Sequence, residues 1–299
     1  MKNEKKQGVF LVTLSYVLWG VLPIFWKLLE EVDSFYVLGA RVVWSVVFCV
    51  LYLTILRKWG CIREILKDKK TVLRCGLCGV MVCINWGGYI WGVNNGHLID
   101  CSFGYYLNPI LVVLLGVFIF RERLAKMEWL AVILASTGVI YLIIRTGTVP
   151  VLAVLVGGSF ALYGMMKKGL SIGSDESLFL ETLLVSPIAL IYLIVQEIKG
   201  AGAVGVLQGW EWILLPLAGV ITAVPLLVYA AGVKIIPFYL TGILMYLNPT
   251  IQFLIGVFLY KEPMDADKLW SFVFIWIGIL VMLIYNIRAH RKTSEETAV

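Results

Sequence analysis

Residues 106–123 read YLNPILVVLLGVFIFRER, and residues 246–263 read YLNPTIQFLIGVFLYKEP. Over 106–124 against 246–264, an offset of 140, nine of nineteen positions are identical. Each copy is an apolar run long enough to cross a hydrocarbon core of about 30 Å as a helix, and each is interrupted by an Asn-Pro pair. The duplication extends outward from these runs. SYVLWG at 15–20 matches SFALYG at 159–164, and YIWGV at 89–93 matches YAAGV at 229–233.

Of the 299 residues, 61% are apolar and only 15% charged, with a mean hydropathy of +0.91. That balance excludes a soluble globular domain. Ten apolar runs follow one another at 9–29, 35–56, 74–95, 98–120, 126–144, 149–166, 178–197, 211–232, 237–260 and 268–287. The third and fourth are separated only by Gly96–His97, yet 47 residues are far too many for a single crossing. The first run follows three lysines but is too long for a signal-peptide core. Lys27, Glu30 and Glu31 follow it instead of a cleavage site, so it reads as a retained span. The connections are short, leaving no room for an extramembrane catalytic domain, and no GxxxxGK[ST] phosphate cradle occurs.

The net charge of +6 does not point to nucleic acid, because of where it sits. Nineteen of the 25 basic residues fall on alternate connections, including Arg121, Arg123, Lys167, Lys168 and Lys234, with seven of them in 57–74. This is the pattern of cytoplasmic loops, and it puts both termini inside. Cys75 and Cys78 form a CxxC with no second Cys or His pair, so the six cysteines read as packing residues and no metal or cofactor is expected.

The repeat divides the chain into spans one to five and six to ten. Five is odd, so a unit that starts inside ends outside and the second copy enters from the opposite face. The expected fold is an all-α polytopic membrane protein of ten transmembrane helices in two inverted five-helix repeats, residues 1–145 and 146–299, the second ending in a short cytoplasmic tail. Inverted repeats of this kind characterise secondary transporters, with solute bound near the midplane between the halves.

Pro109 and Pro249 lie near the centres of spans four and nine and are candidate helix breaks. Each leaves a carbonyl without its donor, at Tyr105 and Met245. Such a carbonyl faces either protein or a water-filled cavity, and Asn108 and Asn248 add amides at the same depth, flanked by Tyr105 and Tyr246. Arg41 in span two and Glu181 in span seven occupy positions matched at the same offset of 140. They form a gate pair, a substrate anchor or a proton site, or each pairs locally and fixes packing. Asn85, Trp86 and Tyr89 on span three, the repeat partners Trp19 and Tyr163, and Trp44 one turn from Arg41 are candidates to line a cavity for a flat or cationic solute. His97 and Asp100 at the outer end of span four are placed to exchange protons, and Lys27 reads as an interface residue.

The ordered set SYVLWG, ARVVWS (40–45), NWGGYIWGVNNGHL (85–98), GYYLNPILVVLLGVFIFRERL (104–124), SFALYG and ETLLVSP (181–187) resembles the EamA-type transporters of the drug/metabolite transporter superfamily. Within them it is similar to the RarD-type branch, often labelled chloramphenicol-sensitivity proteins. The resemblance spans nearly the whole chain. It implies a bacterial inner-membrane protein that moves small organic solutes, more often outward, driven by a gradient, for which a proton is a candidate coupling partner. Two positions depart from that pattern. Ala40 stands where relatives often carry His, so no imidazole proton role carries over, and Asn248-Pro249 stands where they often have Gly-Pro. The function expected is alternating-access transport of metabolites or drugs around a midplane cavity bounded by spans one, three, four, six, eight and nine. A passive channel and a membrane-embedded lipid enzyme are the alternatives, and the second lacks clustered His, Asp or Ser machinery.

Overall fold

The computed structural model describes residues 2–121, 126–168, 170–233, 236 and 244–296. Glu122, Arg123, Lys234 and the first seven residues of the run at 237–260 lie outside the described residues. Among those described there is no strand. The order is α1 (Lys2–Lys27), α2 (Ser34–Ile55), α3 (Trp59–Lys67), α4 (Lys69–Asn94), α5 (Leu98–Phe120), α6 (Lys126–Thr146), α7 (Val151–Lys168), α8 (Ser174–Ile198), a 3-10 turn (Gly209–Ile213), α9 (Leu214–Val233), α10 (Leu247–Leu254) continuing as a π-helix over Ile255–Leu259, and α11 (Ala266–Glu296). Among the described residues, eight helices are long and apolar enough to cross a membrane, and Val151–Lys167 and Leu247–Leu259 are shorter apolar helices. The protein is a multi-pass membrane protein. Eight expected spans are thus present at full length, the sixth is short, and the ninth is described only from residue 244 onward.

The polar break inside 74–120 does divide two helices. Gly96 takes φ +73°, a left-handed conformation that only glycine enters freely, and the His97 N–H donates to the Gly92 carbonyl at 2.7 Å to close the end of α4. Helix α3 lies in the basic connection at 57–74, where no helix is expected from hydropathy. Ile62 is buried and Trp59 and Ile65 half-buried, while Arg63, Glu64 and Lys67 are exposed. Lys58, just before it, reaches Asp175 Oδ2 at 2.5 Å and Glu176 Oε1 at 3.2 Å at the start of α8. The bond to Asp175 raises the Lys58 pKa. On the alkaline side the clamp is therefore lost only as the pH rises through the raised Lys58 pKa and strips the ammonium. Cys49, Cys75, Cys78 and Cys101 are buried as packing residues, but Cys61 on α3 is exposed.

Helices before residue 147 pack chiefly on helices after it. Helix α1 lies against α9 and α10, and α7 against α4 and α5; α2 contacts α9, and α8 contacts α4. Three further pairs, α2 with α8, α5 with α10 and α6 with α11, run antiparallel. In the first, Tyr192 donates to Asp33 at 2.9 Å near one end and Lys58 meets Asp175 at the other. In the third, Tyr141 donates to Asp267 at 2.8 Å near one end, and Gly278 packs on Ala131 and Ala135 at the other. Lipid offers no hydrophobic drive between helices, so close contact between small residues supplies the attraction. Gly104 and Gly157 bring α5 and α7 so near that a Cβ on Gly157 would lie 2.4 Å from the Gly104 carbonyl.

Glu262, 9% exposed, holds the start of α5. Its Oε1 accepts from the Leu98 N–H at 2.7 Å and its Oε2 from the Ile99 N–H at 2.8 Å. These donors have no intrahelical acceptor, and the helix dipole favours an anion there. Glu262→Ala should destabilise the detergent-solubilised protein by about 1–3 kcal/mol and Glu262→Gln by less. Thermal unfolding of the two variants reads the difference, and equal stability of Glu262→Ala and wild type would refute the cap.

Candidate solute site and buried charges

Arg41 projects from α2 into the core with 4% exposure. Its Nε donates to Thr222 Oγ1 at 2.8 Å, and the Thr222 hydroxyl in turn donates to the Ala218 carbonyl at 2.7 Å. The guanidinium carbon lies 3.9 Å from the centre of the Trp86 ring and 4.9 Å from that of Trp26. Four helices, α1, α2, α4 and α9, therefore form an aromatic cage, and its cation is the protein's own arginine. Trp44 does not join it: its side chain is 36% exposed, and its backbone is where Gly219 of α9 packs.

Beside the cage, Asn85 Nδ2 donates to the Val156 carbonyl at 2.8 Å, and Tyr105 Oη donates to Asn85 Oδ1 at 3.2 Å. Tyr89 meets Tyr105 edge-on at 5.6 Å. Asn108 Nδ2 donates to the Gly157 carbonyl at 3.2 Å. Both buried asparagines thus tie their helices to the backbone of α7, which the lack of bulk at Gly157 leaves open to approach.

Glu181 is fully buried and does not pair with Arg41. Lys167 Nζ lies 3.2 Å from its Oε1, Tyr163 Oη donates to its Oε2 at 2.9 Å, and Ser177 Oγ donates to its Oε1. Lys167 also donates to Tyr163 Oη at 2.5 Å. Hydropathy places Lys167 in the connection after span six. It lies in the last turn of α7, and its flexible stem carries the ammonium back to the carboxylate.

The two prolines sit differently. Helix α5 runs continuously through Pro109, whereas α10 begins at Leu247, so Pro249 falls in a first turn, where no N–H is required. Tyr246 stacks on Tyr106 with centroids 6.4 Å apart and planes at 17°. Asn248 Oδ1 accepts from Gln252 at 2.7 Å. Trp19 packs between Tyr16 and Tyr229 at 5.6 and 5.8 Å. Lys27 pairs with Glu30 and sits 5.7 Å over the Tyr260 ring. His97 stacks on Trp91 and approaches Asp100 at 3.2 Å, and Asp100 also binds Lys268 at 3.1 Å.

A crystal structure superposes on this chain with a TM-score of 0.61 at 15% identity, over 93% of this chain and 97% of that one, which marks a shared fold. The sequence signature described as the EamA-like transporter family matches residues 6–144 and again 148–284. The chain belongs to the EamA-like transporter family. Among its relatives, "Uncharacterized transporter YojE" of Bacillus subtilis is 41% identical over 97% of this chain and 98% of that protein. "Protein RarD" of Escherichia coli is 33% identical over 98% and 99%. "Chloramphenicol-sensitive protein RarD" of Pseudomonas aeruginosa is 30% identical over 96% and 97%. The resemblance legible in the motifs is therefore real, and it places this EamA-like transporter near proteins named RarD.

In this EamA-like transporter seven of the predicted residues fall into two groups, and Trp19, Trp44, Asn108, Tyr246 and Asn248 lie outside them. Arg41, Trp86, Asn85, Tyr89 and Tyr105 come together, and Tyr163 joins Glu181 in the other. None of these residues lines either of two grooves in the structure. One, about 550 Å³, is an apolar groove between α2, α4, α7 and α8. The other, about 450 Å³, lies by His97, Asp100 and Lys268. Trp26 and Thr222 escaped the sequence reading. A tryptophan near a span end reads as a belt residue, and a threonine in an apolar helix reads as bonded to its own backbone.

Proposed function

We propose that this protein is a secondary transporter of small organic solutes, built from inverted halves 1–145 and 146–299 that rock about the region around Arg41 and the Asn85–Tyr105 pair. The observation that carries this reading is a reciprocity of contacts at the 140-residue offset. A Cβ on Gly138 would meet Ser271, Phe274 and Ile275, and one on Gly278 would meet Ala131, Leu134 and Ala135, the same positions exchanged between halves. Tyr106 and Tyr246 occupy one position in the two copies and stack on each other, as residues beside a two-fold axis do. An axis that reverses helix direction makes each helix antiparallel to its own counterpart, in agreement with the pairs α2–α8, α5–α10 and α6–α11. The two separate family matches support the same division.

The reading extends to export across a bacterial inner membrane with both termini cytoplasmic, which the basic residues of alternate connections support. A relative's name mentions chloramphenicol sensitivity, so that antibiotic belongs with amino acids and amphipathic metabolites in the solute panel. Protein reconstituted in liposomes should show saturable flux and counterflow of a panel member without ATP. Flux that rises linearly with concentration and shows no counterflow would replace this reading with a channel.

A further inference from the structure

Arg41 has no anion. Among the described residues its guanidinium makes one hydrogen bond, to a threonine, and no carboxylate pairs with it. Its counterpart Glu181 is already matched by Lys167. A guanidinium carries five N–H donors in a planar fork, and leaving it desolvated without a counter-charge is unfavourable. The surroundings share this excess of donors. Trp26 Nε1, Ser45 Oγ, Tyr89 Oη and Tyr260 Oη are buried without a partner, and each can donate. Trp26 is in the cage itself, Ser45 is one helical turn from Arg41, and Tyr89 and Tyr260 belong to the same packed cluster. The nearby amide acceptor, Asn85 Oδ1, is occupied by Tyr105. Trp19, Phe25 and Tyr105 border the same cluster with apolar surface.

We infer that the Arg41 cage is a receptor for an organic anion, a carboxylate carried on an aromatic body, with the guanidinium fork and the orphaned hydroxyl and indole donors completing its coordination. The inference rests on the transport reading for the site's role, but it concerns binding and is tested apart from flux. The aromatic residues, read from sequence as a setting for a flat or cationic solute, already hold a cation. A second cation there would meet like charge, whereas an anion would satisfy the charge and the orphaned donors together.

Full-length protein in detergent should be titrated with phenylacetate, phenethylamine and phenylacetamide, one ring in three charge states, by calorimetry and thermal shift. Phenylacetate is expected to bind and raise the unfolding temperature, and the amine and amide to do neither. Arg41→Gln should weaken phenylacetate binding by about tenfold or more. Tyr89→Phe removes a hydroxyl with no internal partner, so it keeps the fold, and it should weaken binding by about tenfold. Equal shifts with all three compounds, no binding of phenylacetate, or unchanged affinity in Arg41→Gln would overturn the inference; if Arg41→Gln does not fold, unchanged affinity in Tyr89→Phe decides against it. Arg41-dependent binding without liposome counterflow would leave the anion site standing and remove the transport reading instead.

Discussion

Replacing Gly138 or Gly278 with valine is expected to destabilise the detergent-solubilised protein by about 3 kcal/mol, and by nearly the same amount at either position. Each glycine faces the backbone of the opposing helix. A Cβ on Gly138 would lie 2.7 Å from the Ser271 carbonyl oxygen, and one on Gly278 would lie 2.9 Å from that of Ala131. Backbone cannot rotate aside as a side-chain tip can, so α6 and α11 must separate and lose the close contact that holds them together in lipid. The near equality is the sharper part of the expectation, because it follows from one crossing seen from its two ends. The double variant should cost less than the two losses added, since the first separation already makes room for the second side chain. Thermal unfolding of the three variants is the measurement. A tolerant Gly278 beside an intolerant Gly138 would mean that the crossing is not two-fold.

The proposed symmetry has its sequence counterpart in glycines that recur at matched positions of the repeat. Gly79 and Gly219 are also 140 apart, and they meet Glu181 with Val185 and Trp44 with Ser45 respectively. Hydropathy sufficed to find the helices, because a span must be apolar along its length. It did not reveal α3, whose single buried stripe is hidden among basic residues. Polar groups at membrane depth were also legible as exceptional, but their partners were not. Asn85 and Asn108 bond to carbonyls of α7, and no side-chain pattern announces a backbone acceptor. Glu262 gave even less sign. It lies in the C-terminal arm of the repeated stretch, yet its role depends on where the start of α5 sits, 163 residues away in sequence.

Lys167→Met should be the most damaging charge substitution in the protein, costing about 3–5 kcal/mol, because it leaves the fully buried Glu181 carboxylate without its cation. Glu181→Gln should cost less, on the order of 1–2 kcal/mol. The amide keeps one acceptor oxygen for Tyr163 or Ser177, its NH2 can donate to the other hydroxyl, and the Lys167 side chain, 23% exposed, can turn its ammonium back toward water. The double variant Lys167→Met with Glu181→Met removes both charges and replaces them with side chains of similar volume. It should therefore recover much of the loss. Unfolding in detergent tests these three values, and a Lys167→Met protein as stable as wild type would show that the pair does not hold α7 to α8. Liposome flux of the double variant then separates two roles that stability alone leaves merged. A pair that only fastens helices leaves counterflow intact once the apolar substitutes restore the fold. If instead the double variant is stable but carries no solute, Glu181 and Lys167 must separate during transport, and the charge matched to Arg41 at an offset of 140 has become a moving part of the second half.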